Sequence, residues 1–554
     1  MRHALAWFLA ATFLFGASAR GQDTEKPPPD VAKRVDDYLR ALTDVGLFSG
    51  AVLVARDGKV LIEAAYGDAD VAAKTPNTPS TRFKLMSVSK TVTAVAVMRL
   101  AQAGKIGLDD PVAGRLPGWP DGWKTVTVHQ LLDHTSGVPN LENEWAPVVL
   151  QGKERGLALW RRLAAKFAGR ALEAPAGTRP SYSNFNYVVL GLVVESVSGK
   201  PFDEFARTSV LAPAGMTKTG FDDGARQPSL AVGYFRDDDG SPKASVQDMS
   251  SIRGAGDVIS TVGDLWRFDR ALGGEALLSA ATRTTMEGTT AASPNYACGW
   301  QTTPVEGHRC IHHAGGANGF VADFLRFPDD DACVVVTSNF AYAPIGRISA
   351  DLSAILFGRE VPAARKVTRT VLDAHAGVYR HPKVPDRTLL VRRCGDALML
   401  FDVFERVERP FGQALVPLGD DLFVMPYGDE RVRFTAPSAG KSGYARLESE
   451  RGVAAYRRTE PAEAVWRASA KAYAARPNGA VHRIEATDTG LVIHAPDGWP
   501  RDLPLVPVTD RLAIALWGPD GGTLLVLDCD DQGVPSGFRW MRNDGQRVVA
   551  DASR

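Results

Sequence analysis

The chain has 554 residues, 45% hydrophobic and 23% charged; this is ordinary globular composition, too long for one core, so two to four domains are expected. Lys plus Arg number 64 and Asp plus Glu number 64, and that balance removes any electrostatic reason to expect nucleic acid as a partner. Five sparse cysteines, Cys298, Cys310, Cys333, Cys394 and Cys529, do not form a disulfide framework, although an exported protein is free to form a bridge.

The first 21 residues, "MRHALAWFLAATFLFGASARG", have a basic start, an apolar run and small residues, the pattern of a secretory signal peptide. The run is short for a bilayer span, and no cysteine near it suggests a lipid anchor. No later segment is apolar enough to span. Loss of residues 1–21 removes Arg2 and Arg20 and no acid, so the formal charge moves from 0 to −2. Residues 22–30, "QDTEKPPPD", read as a linker ending where a helix begins near Val31.

Next, "GAVLVARDGKVLIEAAYG" reads as two strands around an Asp57-Gly58 turn. From Ser87 to about Arg283 the pattern is mostly helical, broken by Gly/Pro loops. Strand-like segments return in "YACGWQTT", "HRCIHHAGG", "GFVADFLRFP" and "ACVVVTSNF", before a helix near Ile345–Leu356. Strands at both ends of a helical middle predict one antiparallel sheet closed by the two chain ends and flanked by helices, an α+β domain over 31–362. Past Val361 short strands and turns repeat. "LVPLGDDLFV" answers "LVPVTDRLAI", "GDALMLF" answers "DTGLVIH", and "KSGYARL" answers "PSGFRWM" at a steady offset. The repeat predicts two tandem small antiparallel β-barrels, 363–460 and 461–554.

Three stretches carry chemistry. In "FKLMSVSKTVTAVAVMRL", Ser87 and Lys90 are three apart at the start of a helical pattern. Positions i and i+3 share a helix face, and a serine becomes a nucleophile when a base takes its proton. A second serine–lysine pair, Ser438 and Lys441 in "SAGK", lies in a Gly-rich loop that does nothing to hold the lysine in place. In "PSYSNFNYVVLGLVVE", Tyr182 and Asn184 stand two apart before an apolar helix, so both side chains point to one cleft. An adjacent ammonium lowers a phenol's pKa, which would let Tyr182 act as a base. In "HHAGGANGF", His313, Gly315 and Gly316 lie on a strand whose bare backbone admits a bound group and offers an N–H to an oxyanion. "HAG" at His375–Gly377 and "KTG" at Lys218–Gly220 read as decoys.

Together with "LLDHTSGVPN", "GMTKTGF" and "GAGDVISTVGDLWRF", these stretches occur in the order found in a family that the chain resembles over about residues 31–360. It is the serine hydrolases that include class C β-lactamases, D-alanyl-D-alanine carboxypeptidases, D-aminopeptidases and related esterases. The resemblance implies Ser87 as the acylated nucleophile, with Lys90 and Tyr182 sharing its proton as a coupled pair. It implies Asn184 on the substrate amide and the N–H groups of Ser87 and Gly316, beside Gly315, as oxyanion hole. His313 is then expected to contact Tyr182 or a substrate carboxylate and to titrate between about pH 5 and 8. Class C β-lactamases carry lysine where this chain has His313. The histidine and the tandem barrels resemble the D-aminopeptidase and carboxypeptidase branches, so a peptidase is expected. A β-lactamase or small-ester esterase on the same site is the alternative.

The resemblance implies a small-molecule or short-peptide substrate, of cell-wall origin among others, and no cofactor or metal. A zinc site at His308, Cys310 and His312 lacks a second ligand cluster. No GxSxG elbow is present. A non-catalytic penicillin-recognising binding protein remains the reading from another class, against three intact motifs.

Overall fold

A computed structural model describes residues 30–552 apart from internal stretches, the longest being 404–412, 436–442, 460–471 and 495–502. The expected signal peptide, the linker up to residue 29 and the Ser438–Lys441 loop lie outside the described residues.

The Asp57-Gly58 turn joins strands Gly50–Arg56 and Lys59–Tyr66. Both turn residues take positive φ, 54° and 69°, the conformation that matches strand twist in a two-residue hairpin. These strands complete a six-stranded sheet in the spatial order Gln301–Thr302, Ile311–Ala317, Phe320–Phe327, Ala332–Ser338, Gly50–Arg56, Lys59–Tyr66. The first strand of the chain pairs antiparallel with Ala332–Ser338, from Gly50↔Ser338 to Arg56↔Ala332. The two ends of the domain therefore close one sheet.

That sheet is buried on both faces, which is why its central strands read as unbroken apolar runs. Ala51, Leu53, Ala55, Cys333 and Val335 point into one core with helix Ser89–Gln102. Val52, Val54, Val334 and Val336 point into the other, with helices Val31–Asp44 and Ile345–Leu356. The alternation is the two-residue period of a strand, and each fully buried aliphatic side chain contributes about 1.5–3 kcal/mol. Helices Ser89–Gln102 and Asn184–Ser198 pack together, apolar nearly all round as buried helices are.

One expected strand shrinks. In "YACGWQTT" only Gln301–Thr302 is a strand. Gly299 turns the chain at φ +82°, where a Cβ would lie 2.6 Å from the Ala94 methyl.

Two β units follow. The first has nine strands between Gly377 and Thr459. Its two edges, Gln413–Ala414 and Val416–Pro417, flank the buried residue Leu415. They are one stave that pairs with Ala397–Val403 on one side and Leu422–Val424 on the other, so the sheet nearly closes. The second unit is a closed barrel of eight strands from Ala472 to Ala552.

The first β unit shares the second core. Val378, Leu390, Met399, Phe401 and Val416 join Tyr234, Phe340, Tyr342 and Ile345 in one apolar cluster. The hairpin of Gly233–Arg236 and Pro242–Ser245 reaches the same unit, with Gly240 against Cys394 and Gly395. Among the described residues, the core around Ser89–Gln102 uses nothing beyond Val335. A chain ending at residue 362 is therefore expected to keep its fold around Ser87 and to lose several degrees of melting temperature, with a tendency to aggregate. Melting followed by circular dichroism checks this, and an unchanged transition would mean the cluster contributes nothing.

Candidate active site

Ser87 lies in the 3-10 turn Met86–Val88, between strand Phe83–Lys84 and helix Ser89–Gln102. Met86 takes φ +51°, a conformation costly for a side-chain-bearing residue and held only by its surroundings. Strand Ile311–Ala317 lies flush on that turn because residue 315 is glycine. A Cβ there would sit 2.3 Å from Leu85 O and 2.8 Å from Ser87 N.

Lys90, in the first turn of the helix, is fully buried. Its Nζ lies 2.9 Å from Ser87 Oγ, 2.8 Å from Asn184 Oδ1 and 3.0 Å from Ala255 O. Burial pushes its pKa down to about 7, opposed by the negative charge of Glu142. Glu142 is 2% exposed and accepts from Asn184 Nδ2 at 2.6 Å; its own pKa is raised by burial. That bond turns the Asn184 carbonyl toward Lys90. Asn184 Oδ1 and Ala255 O can only accept hydrogen bonds. They engage two amine protons of a neutral Lys90 and leave its lone pair facing the Ser87 hydroxyl.

Tyr182 donates to Ser87 Oγ at 3.0 Å, and Lys90 Nζ lies 4.9 Å from its ring centroid. Here the sequence expectation is corrected. Burial raises the phenol's pKa and outweighs the Ser87 hydrogen bond that lowers it. The cation expected to acidify Tyr182 is itself the group that gives up its proton.

His313 is also corrected. It is 1% exposed, and its ring nitrogens meet Tyr296 OH at 2.9 Å and Ala314 O at 2.6 Å. A carbonyl can only accept, so Nδ1 carries the proton and Nε2 takes the Tyr296 hydroxyl. Burial and then Lys90 hold its pKa down to about 3. His313 stays neutral throughout the range where it was expected to titrate.

Sequence reasoning missed four contributors. Glu142 opens helix Glu142–Gln151 and carried no local signal. The Ala255 carbonyl belongs to "GAGDVISTVGDLWRF", read only as a landmark. His134, inside "LLDHTSGVPN", takes φ +60° and packs with its ring tilted at 4.4 Å from the Tyr182 ring and edge-on at 4.8 Å from that of Tyr296. Tyr296 lies in a segment read as strand.

The decoys fall elsewhere. His375 ends helix Arg369–His375 and bonds Asp420 O. Lys218 bonds Ser80. Of the zinc candidates, His308 pairs with Asp330 and Cys310 is core. Among the described residues no group of three or more His, Cys, Asp or Glu is placed to hold a metal.

The profile of the Beta-lactamase family matches residues 35–355. The putative penicillin-binding protein PbpX of Bacillus subtilis (strain 168) is 29% identical over 297 residues, 52% of this chain and 69% of that protein. A penicillin-binding protein from Bacillus halodurans has a structure similar at a TM-score of 0.50 and 29% identity, covering 57% of this chain and 98% of that one. The octameric penicillin-binding protein homologue from Pyrococcus abyssi shares the fold at a TM-score of 0.55 and 24% identity, over 77% of this chain and 100% of that one. The family match covers more than half of the chain and spans Ser87, Lys90, Tyr182 and His313: the chain belongs to the Beta-lactamase family of penicillin-recognising serine hydrolases.

Proposed function

We propose that the protein is an exported amide hydrolase of the D-aminopeptidase or D,D-carboxypeptidase type, acting through an acyl-enzyme on Ser87. The observation that carries the reading is the 2.9 Å contact of Ser87 Oγ with a Lys90 amine whose pKa is about 7. A lysine with its ordinary pKa is a cation at neutral pH and takes no proton. This one is poised as a base near working pH.

The steps follow from the contacts. Lys90 Nζ takes the Ser87 hydroxyl proton as Oγ bonds to the substrate carbonyl carbon. The carbonyl oxygen becomes an oxyanion held by the N–H groups of Ser87 and Gly316. As the C–N bond breaks, the leaving amine takes the Tyr182 hydroxyl proton, and Lys90 returns a proton to Tyr182. Water then attacks the acyl carbon by the same route in reverse, releasing the acid and restoring Ser87. The raised pKa of Tyr182 suits a proton donor. Asn184 aligns Lys90 and the substrate amide.

Charge supports the substrate class. Glu142 is buried against Asn184 and His313 is neutral, with no cation in the place where class C β-lactamases carry lysine. Such a cleft offers a substrate carboxylate no fixed counter-charge, which favours the D-aminopeptidase type of the two. The D-aminopeptidase type also rests on the resemblance of the His313 motif and tandem barrels to that branch. Export rests on the pattern of residues 1–21, and the near-neutral charge speaks against a nucleic-acid partner. A mature mass starting at Gln22 supports export; an intact amino terminus on the protein recovered from cells contradicts it.

A hydrolysis panel tests the activity. D-amino acid amides are expected to turn over fastest, ahead of D-Ala-D-Ala peptides, short acyl esters and nitrocefin. Ser87→Ala should be inactive on all of them, and Lys90→Ala and Tyr182→Phe should each lose about a hundredfold or more. Preference for nitrocefin or for L-amino acid amides would overturn the assignment.

Because the neutral amine takes the serine proton, kcat/KM is expected to rise with pH through about 7 and then level off. Glu142→Gln removes the charge that favours the ammonium, so the midpoint should move to lower pH. A pH–rate profile of both proteins checks this. A midpoint unmoved in the variant would show that Glu142 does not act on Lys90.

A further inference from the structure

The decoy Lys218–Gly220 has an unexpected setting. Gly220 begins the short strand Gly220–Phe221, which pairs with Val258–Ser260. Two arginines from distant parts of the chain converge over it. A Cβ on Gly220 would lie 3.2 Å from Arg82 Nη2 and 3.5 and 3.6 Å from Arg207 Nη1 and Nη2. Lys218, two residues earlier, is exposed and donates to Ser80 Oγ at 2.8 Å.

Like charges gathered in this way need compensation, and the protein supplies little. Arg82 Nε is buried without a hydrogen-bond partner. Arg207 lies over the Phe221 ring at 5.3 Å. Asp264 and Asp223 act on Arg82 through their charge, but their hydrogen bonds go to other groups: Asp264 to Lys218 N, Thr219 Oγ1 and Arg267, and Asp223 to Gln227 and Ala225 N. Among the described residues neither Arg82 nor Arg207 makes an ion pair. Burial and then the neighbouring Arg207 push the Arg82 pKa down, against Asp264 and Asp223, which raise it.

We propose that Arg82 and Arg207 form a binding site for a phosphate group, their guanidiniums brought together over the bare backbone of Gly220. Guanidinium forks match the oxygens of phosphate. A dianionic phosphate neutralises both arginines, whereas a single carboxylate neutralises one. The ligand class is therefore free phosphate or a small phosphomonoester. This site is separate from the Ser87 cleft and independent of the hydrolytic reading.

Calorimetric titration of the full chain with inorganic phosphate tests the proposal. Saturable binding is expected, with sulfate competing and acetate not. Arg207→Gln should weaken it about tenfold or more, the worth of one charged hydrogen bond. Gly220→Ala, whose methyl presses both guanidiniums out of place, should do the same with unchanged circular dichroism and unchanged amide hydrolysis. No saturable binding at millimolar phosphate would overturn the proposal, as would wild-type affinity in both variants or equal binding of acetate. Sedimentation with phosphatidylglycerol vesicles without binding of free phosphate would also overturn it, in favour of a lipid surface.

Discussion

The constraint on which the site depends is the burial of a lysine amine with no carboxylate in direct contact. An ammonium moved out of water without a counter-ion loses its proton more readily, and Lys90 is fully buried. Its nearest polar neighbours are a hydroxyl and two carbonyl oxygens. These satisfy a neutral amine as well as they do a charged one. The same burial keeps Tyr182 protonated and His313 neutral. One desolvated pocket thus sets three protonation states, and only Glu142 opposes the shift at Lys90.

The rest of the domain holds that amine in place. Asn184 is oriented by Glu142. The Ala255 carbonyl follows Gly254, which takes φ +85° and whose own carbonyl is pinned by Thr93 Oγ1 at 2.6 Å. Thr93 lies one helical turn beyond Lys90, so the helix that carries the base also fixes the loop that accepts from it. On the other side, Gly315 lets the sheet touch the Ser87 turn. That sheet exists only because the two ends of the domain pair through Gly50–Arg56 and Ala332–Ser338.

Legibility in the sequence followed the range of the interaction. Ser87 and Lys90 were readable because helical spacing alone brings them together. Tyr182 and Asn184 were readable because two residues of extended chain before a helix point one way. The β units were readable from the repeat. What burial decides was not readable: a histidine at 313 looks like a titrating group until its surroundings are known. Glu142 was invisible for a related reason, since nothing local marks a glutamate whose partner is 42 residues away. The apolar cluster joining the first β unit to the domain was hidden too, because the sequence shows that strands have apolar faces but not which surface they meet.

The most direct test is the titration of Lys90 itself. The Nζ resonance of 15N-labelled protein, assigned by its loss in Lys90→Arg, can be followed from acid to alkaline pH. A midpoint near 7 is expected. A midpoint near the ordinary lysine value of 10.5 would mean that Lys90 is an ammonium at neutral pH and that the base is another group.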